Sequence, residues 1–144
     1  MTTSTVSIAE ATSEHFVAIV EIERACGKGS VVALTNGAAL QQALDRGHWL
    51  AVALDAEAVR GWIWFSIELG RGGEYVGQIF RVAVAPDARR AGVGHALIGH
   101  ADRIFAEQDA ASVRITVQAG DEGARNFFGS IGFVPQALTM ERLL

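Results

Sequence analysis

Two rhythms of apolar positions alternate along the chain. Phe16, Ile19, Val20 and Glu23 recur at helical spacing, which predicts a helix over about 12–26. A short strand around Val6 and Ile8 precedes it, and Cys26-Gly27-Lys28-Gly29-Ser30 breaks it. Thr35 and Asn36 are helix-capping types, so a second helix is expected from there to about Arg46, stopped by Gly47. The period then falls to two. Strands are predicted at His48–Leu54 and Val59–Glu68, joined by an acidic turn at Asp55–Glu57. Gly70-Arg71-Gly72-Gly73 reads as a hairpin loop. From Tyr75 to Ala85, Val76, Gln78, Phe80, Val82 and Val84 alternate against Ile79, Arg81 and Ala83, and Pro86-Asp87 ends the strand.

Beyond Gly94 the apolar residues Ala96, Leu97, Ala101, Ile104 and Phe105 form one helical stripe running to about Gln108. Ser112–Gln118 alternates again, with Val113, Ile115 and Val117 on one face and Arg114 and Thr116 on the other. Ala124, Phe127, Phe128 and Ile131 mark a last helix closed by Gly132, and a final strand or hairpin is expected over Phe133–Leu143. The order β-α-α-β-β-β-α-β-α-β predicts an α/β fold: a mixed, mainly antiparallel central sheet with helices on both faces. No repeat or linker interrupts the 144 residues, so residues 1–144 are read as a single domain.

The segment Val82-Ala83-Val84-Ala85-Pro86-Asp87-Ala88-Arg89-Arg90-Ala91-Gly92-Val93-Gly94 carries the chemistry. A strand ends, two arginines follow, and two glycines open a helix. The first turn of a helix has N–H groups without intrahelical partners. Its dipole adds about 0.3–1 kcal/mol for an anion at that end. Glycine lets a phosphate reach the backbone, and Arg89 and Arg90 offer charge-assisted hydrogen bonds at the rim. The P-loop is excluded, because His95-Ala96 follow Gly94 where Lys-Ser or Lys-Thr is needed. A dinucleotide fingerprint is excluded as well, since Leu97 stands where its third glycine belongs.

In these residues the sequence resembles the general N-acetyltransferase (GNAT) superfamily. Arg89-Arg90-Ala91-Gly92-Val93-Gly94 is similar to its acetyl-CoA signature, Arg/Gln-x-x-Gly-x-Gly, and Val82–Pro86 to its central strand. Phe127-Phe128-Gly129-Ser130-Ile131-Gly132-Phe133 resembles its later aromatic-x-x-x-Gly-Phe segment, and Thr139-Met140-Glu141 its last strand. The resemblance implies acetyl-CoA as co-substrate. Backbone of Val82, Ala83 and Val84 would accompany the pantetheine arm. The N–H groups of Arg90, Ala91, Gly92, Val93, Gly94 and His95 would hold the pyrophosphate. A splay between the strand ending at Ala85 and the strand Val113–Gln118 would admit the cofactor.

The same resemblance sets the acceptor chemistry. A lysine-like amine with pKa ~10.4 is only about one part in 2,500 neutral at pH 7, a deficit of roughly 4.6 kcal/mol. A base or a water relay therefore helps. Gln78 stands where members acting on histone lysines carry a glutamate; it can orient water but takes no proton. Glu74 and Glu68, at the neighbouring hairpin, are the candidate bases. Phe128 stands where many members have a proton-donating tyrosine, and Asp121 where asparagine is frequent. Trp62 and Trp64 share a strand face that either walls an acceptor pocket or packs under helices.

Composition narrows the partners. Lys and Arg number 12 and Asp and Glu 16, a net charge of −4, which argues against a nucleic-acid binder. The chain starts without a basic, apolar leader, and the stretch Trp49–Leu54 is too short to span a bilayer. One cysteine, Cys26, excludes a disulfide framework and suits the cytoplasm. His95 and His100 are five apart, off metal-ligand spacing, so no metal is expected. The expected acceptor is a small-molecule or peptide amine. A homodimer is compatible with the pattern, because edge strands that pair between subunits look like any others. The alternative reading is a non-catalytic acyl-CoA-binding module.

Overall fold

The computed structural model describes residues 6–26, 36–89 and 91–144. Five strands lie in the order β1-β2-β3-β4-β5: Ser7–Glu10, Trp49–Asp55, Ala58–Leu69, Tyr75–Val84 and Ala110–Ile115. The first four pair antiparallel and β5 lies parallel to β4. The parallel pair needs a crossover, and helix α3 (Val93–Glu107) provides it. Helices α1 (Phe16–Cys26) and α2 (Gly37–Asp45) cover one face, and α3 with α4 (Glu122–Ser130) the other.

Alternation along the central strands builds two cores. Leu50, Val52, Trp62 and Trp64 pack under Phe16, Ile19, Ile22 and Leu40. Ala51, Ala53, Ile63 and Phe65 pack under Val93, Leu97, Ala101 and Phe105. Both tryptophans are thus core residues, Trp62 fully buried. Two glycines permit the close approach of α3. A Cβ on Gly77 would sit 2.6 Å from the Phe105 ring, and one on Gly61 would sit 3.0 Å from Val93 and 3.1 Å from Leu97.

The uniform alternation expected over Tyr75–Ala85 breaks at Phe80. Trp64 pairs with Arg81 and Phe65 with Ile79, so Phe80 is an extra residue. Such a bulge flips the faces beyond it. Ile79 before it and Val82 and Val84 after it therefore meet the α3 side, while Phe80, Ala83 and Ala85 join the α1–α2 side.

The first helix opens with a separate 3-10 turn at Ser13–His15. Asn36 caps α2 by accepting the Ala39 N–H at 2.9 Å; Thr35, the other expected cap, lies outside the described residues. Gly47, at φ 83°, ends the turn that follows α2. The strand expected at Ser112–Gln118 begins earlier and stops at Ile115, because the β4–β5 pairing ends at Ile79 opposite Ile115. The final strand expected over Phe133–Leu143 is not formed. Residues 133–144 lie in no regular element, and 134–144 are exposed throughout.

Candidate active site

Where β4 and β5 part, they leave a wedge. Past Ile79 and Ile115 the strands stop pairing, and a cavity of about 80 Å³ opens between Phe80–Val82 and Ile115–Gln118, closed by Asp121, Ala124 and Phe128. Main-chain polarity follows from the register. The Ala85 N–H donates to the Arg60 carbonyl at 2.8 Å. Outward and inward groups alternate in an antiparallel ladder, so the main-chain groups of Ala83 face β3 and those of Val82 and Val84 point away from it, Val82 into the wedge. Of the three residues expected along the pantetheine arm, Val82 lines the wedge, and Val84 turns its N–H away from β3 beyond it. Ala83 is spent on its pairing with Trp62.

Beyond the wedge, β4 leads through a short turn to the start of α3. Pro86–Ala88 form a 3-10 turn, and Gly92 caps α3 at φ 79°, ψ 10°, a left-handed conformation natural to glycine. Gly92 has no side-chain cap to give, and among the described residues the Ala96 N–H is the first to bond back, to the Gly92 carbonyl at 3.0 Å. Among the described residues the N–H groups of Val93, Gly94 and His95 have no backbone partner, as expected for a first helical turn. Gly94 is covered on one side by Phe127, whose ring would lie 3.3 Å from an added Cβ. His95 meets the same ring edge-on at 5.1 Å. Ala91 and Gly92 are exposed and Val93 buried. Arg89 is exposed beside the turn, its Nη2 3.6 Å from the Cys26 sulfur. The Cys26 thiol in turn donates to the Val84 carbonyl at 3.5 Å. Arg90 lies outside the described residues.

Phe128 is buried against Phe127 and Phe133 and lines the wedge, so its ring shapes the cavity and offers no proton. Asp121 lines it too, while its Oδ1 accepts the Ala124 N–H at 2.9 Å and caps α4.

Of the three candidate catalytic residues, Gln78 and Glu68 lie on the α1–α2 face of the sheet and Glu74 precedes β4 at the hairpin. Gln78 lies opposite Ser66 and is half-buried, its Nε2 reaching the Ile79 carbonyl at 3.4 Å. Glu68 is exposed and accepts the Ser66 hydroxyl at 2.7 Å. Glu74 is exposed at the hairpin tip, and its carboxylate lies back over Gly70 and Gly72. Gln78 and Glu68 thus share a face through Ser66, whereas Glu74 is occupied at the turn. The loop expected to shape the acceptor site lies, from residue 27 to 35, outside the described residues.

Three polar groups on this face went unread in the sequence. Glu23 is buried in α1. It accepts the Trp62 indole at 2.9 Å and, through both carboxylate oxygens, the Arg81 guanidinium at 2.7 and 3.1 Å. His48 stacks on Phe80 at 5.1 Å and accepts the Trp64 indole N–H at Nδ1. An indole nitrogen only donates, so the neutral ring carries its proton on Nε2. Burial holds the His48 pKa below its usual value, against the raising influence of Glu68; Arg46 adds a smaller lowering. His48 is therefore a positioned donor at this face. The signal for the Glu23–Arg81 pair was present, since each charge interrupts an otherwise apolar face. Only the fold shows that the two interruptions meet.

The Acetyltransferase (GNAT) family model matches residues 14–133. The chain belongs to the GNAT acetyltransferase family. Solved structures with the same fold include a Trypanosoma brucei acetyltransferase, 21% identical with a TM-score of 0.78, covering 97% of this chain and 100% of that one. An aminoglycoside acetyltransferase from an uncultured soil metagenomic sample, in complex with sisomicin, is 18% identical with a TM-score of 0.79, covering 96% of each chain. A ribosomal-protein-alanine N-acetyltransferase from Brucella melitensis is 16% identical with a TM-score of 0.79, covering 97% of this chain and 99% of that one. No curated protein sequence matches the chain. Among the described residues, no helix is long and apolar enough to cross a membrane.

Proposed function

We propose that this GNAT acetyltransferase moves an acetyl group from acetyl-CoA to an amine by direct attack of the amine nitrogen on the thioester. The observation that carries the reading is the wedge between β4 and β5, lined by Phe80, Arg81 and Val82 on one side and Ile115–Gln118 on the other, on the strand that leads through the 3-10 turn to the glycine-capped start of α3. A diphosphate fits the uncapped helix start, and an extended amide-containing arm fits the outward backbone of Val82 and Val84. The co-substrate supplies an activated acetyl carbonyl. The Val84 N–H is the donor suited to polarise it.

The chain's own part is mainly positioning. The acceptor side is the face carrying Gln78, Ser66, Glu68 and His48. Glu68, through a water held by Gln78, is the candidate for drawing the ammonium proton. The amine loses that proton to Glu68, the C–N bond forms as the C–S bond breaks, and the second proton shed by the attacking nitrogen passes through water to the departing thiolate. The proposed acceptors are small-molecule or peptide amines, and the proposed setting is the cytoplasm.

A non-catalytic acyl-CoA-binding module is the second reading, favoured by one feature: Phe128 lines the wedge without a proton to give. The test is thiol release from acetyl-CoA across a panel of amines, with calorimetric titration of the cofactor. Turnover on at least one amine is expected. Binding without turnover on any amine would favour the second reading, and absence of binding would overturn both. Gly94→Val should abolish binding while the chain stays folded by circular dichroism.

A further inference from the structure

We propose that the acceptor is a small amino-carboxylate, such as an amino acid, whose carboxylate is held by Arg114 while its amine faces Glu68; this deepens the acceptor reading above and rests on it. The register of three neighbouring strands carries the inference. Ser66 of β3 lies opposite Gln78 of β4, and Gln78 lies beside Arg114 of β5. Paired residues on adjacent strands send their side chains to one face, so Arg114 joins Gln78 and Ser66 on the α1–α2 face. Glu68, two positions beyond Ser66, keeps that face and accepts the Ser66 hydroxyl at 2.7 Å. Val113 and Ile115, on either side of Arg114, pack into the opposite core. A neutral amide is thus flanked by an anion and a cation, where β4 and β5 are still paired just before the wedge.

The charges on this face select the class of acceptor. Arg81, the neighbouring cation on β4, is matched by both carboxylate oxygens of Glu23 and is mostly buried. Arg114 and Glu68 are exposed, and among the described residues neither is in an ion pair. Neighbouring strands lie about 4.8 Å apart, so β3 and β5 stand about 10 Å apart across Gln78. Two long side chains and one small zwitterion fill such a gap. A guanidinium binds a carboxylate through two parallel N–H donors, which gives Arg114 a ligand group it recognises by shape as well as charge. An acceptor that is cationic throughout is repelled by the same residue, so Arg114 both selects and excludes.

The test is thiol release from acetyl-CoA with the common amino acids, their α-carboxamides and a set of polyamines. Amine basicity differs between the sets and cancels when parent and variant are compared. The expected result is turnover of at least one carboxylate-bearing acceptor, preferred over its carboxamide. In Arg114→Gln that preference should fall about 10-fold or more, through KM rather than kcat. Arg103→Gln removes an exposed cation from α3, on the opposite face, and should leave the preference intact. Calorimetric titration with acetyl-CoA checks that both variants keep the cofactor site. A parent that prefers carboxamides or polyamines would overturn the proposal while acetyl transfer to an amine stands. So would a carboxylate preference that survives Arg114→Gln. Turnover on no amine would overturn both.

Discussion

Removing the Arg81 guanidinium should cost this fold more than any surface change. The Glu23 side chain is only 7% exposed and the Arg81 side chain 20%. In Arg81→Met, Glu23 loses two of its three hydrogen bonds and keeps the Trp62 indole alone. Breaking one side of a buried pair leaves an uncompensated charge and costs about 3–5 kcal/mol. For a chain of this size that is a drop of about 10–15 °C in Tm. Adding Glu23→Gln removes the stranded charge while its amide oxygen still accepts the Trp62 N–H, so the double variant should recover most of the loss. The assay is urea unfolding followed by tryptophan fluorescence, because Trp62 reports the site directly. The reasoning fails if Arg81→Met lies within about 0.5 kcal/mol of the parent, the range of an ordinary surface substitution. It also fails if the double variant is no more stable than the single one, since the two sites would then be energetically independent.

Gly77→Val should destabilise by about 1–3 kcal/mol through overpacking against the Phe105 ring, and Phe105→Leu in the same chain should relieve part of it in the same unfolding assay. Gly92→Ala must hold φ 79°, which costs about 1–2 kcal/mol of strain and should show as a lower urea midpoint. Leu40→Ala empties a fully buried site between α2 and the sheet and should cost about 2–5 kcal/mol by urea titration. Burial lowers the pKa of His48 and of His100, the latter opposed by Glu10 and Glu107 and assisted by Arg103. The unfolded chain, with histidine at 6.5, therefore binds protons first as pH falls. Stability from these rings is whole above that pH and declines as pH drops through the folded values. The decline should flatten in His48→Gln with His100→Gln, and an unchanged slope would refute the assignment.

The local features were legible without coordinates because each is written in neighbouring residues. The Asn36 cap, the glycine stop at Gly47, the stripe Leu97-Ala101-Phe105 and the Gly92-x-Gly94 helix start depend on spacing and backbone freedom within a few positions. They carried the α/β class and the glycine-led start of α3. What pairing decides was not legible in the same way. The bulge at Phe80 exists only because β3 and β4 run in a particular register, and it alone decides that Val82 and Val84 share a face with Ile79. The strand at Ser112–Gln118 ends early because its partner diverges, a property of two strands rather than one. The expected last strand has apolar alternation, yet residues 133–144 pair with no strand among the described residues, and pairing is what a strand requires. Glu23 and Arg81, 58 positions apart, become one buried pair only when α1 lies across β4. Hydrophobic period and capping chemistry act along the chain, so sequence determines them; hydrogen-bond register and charge burial act across it, so only the tertiary structure does.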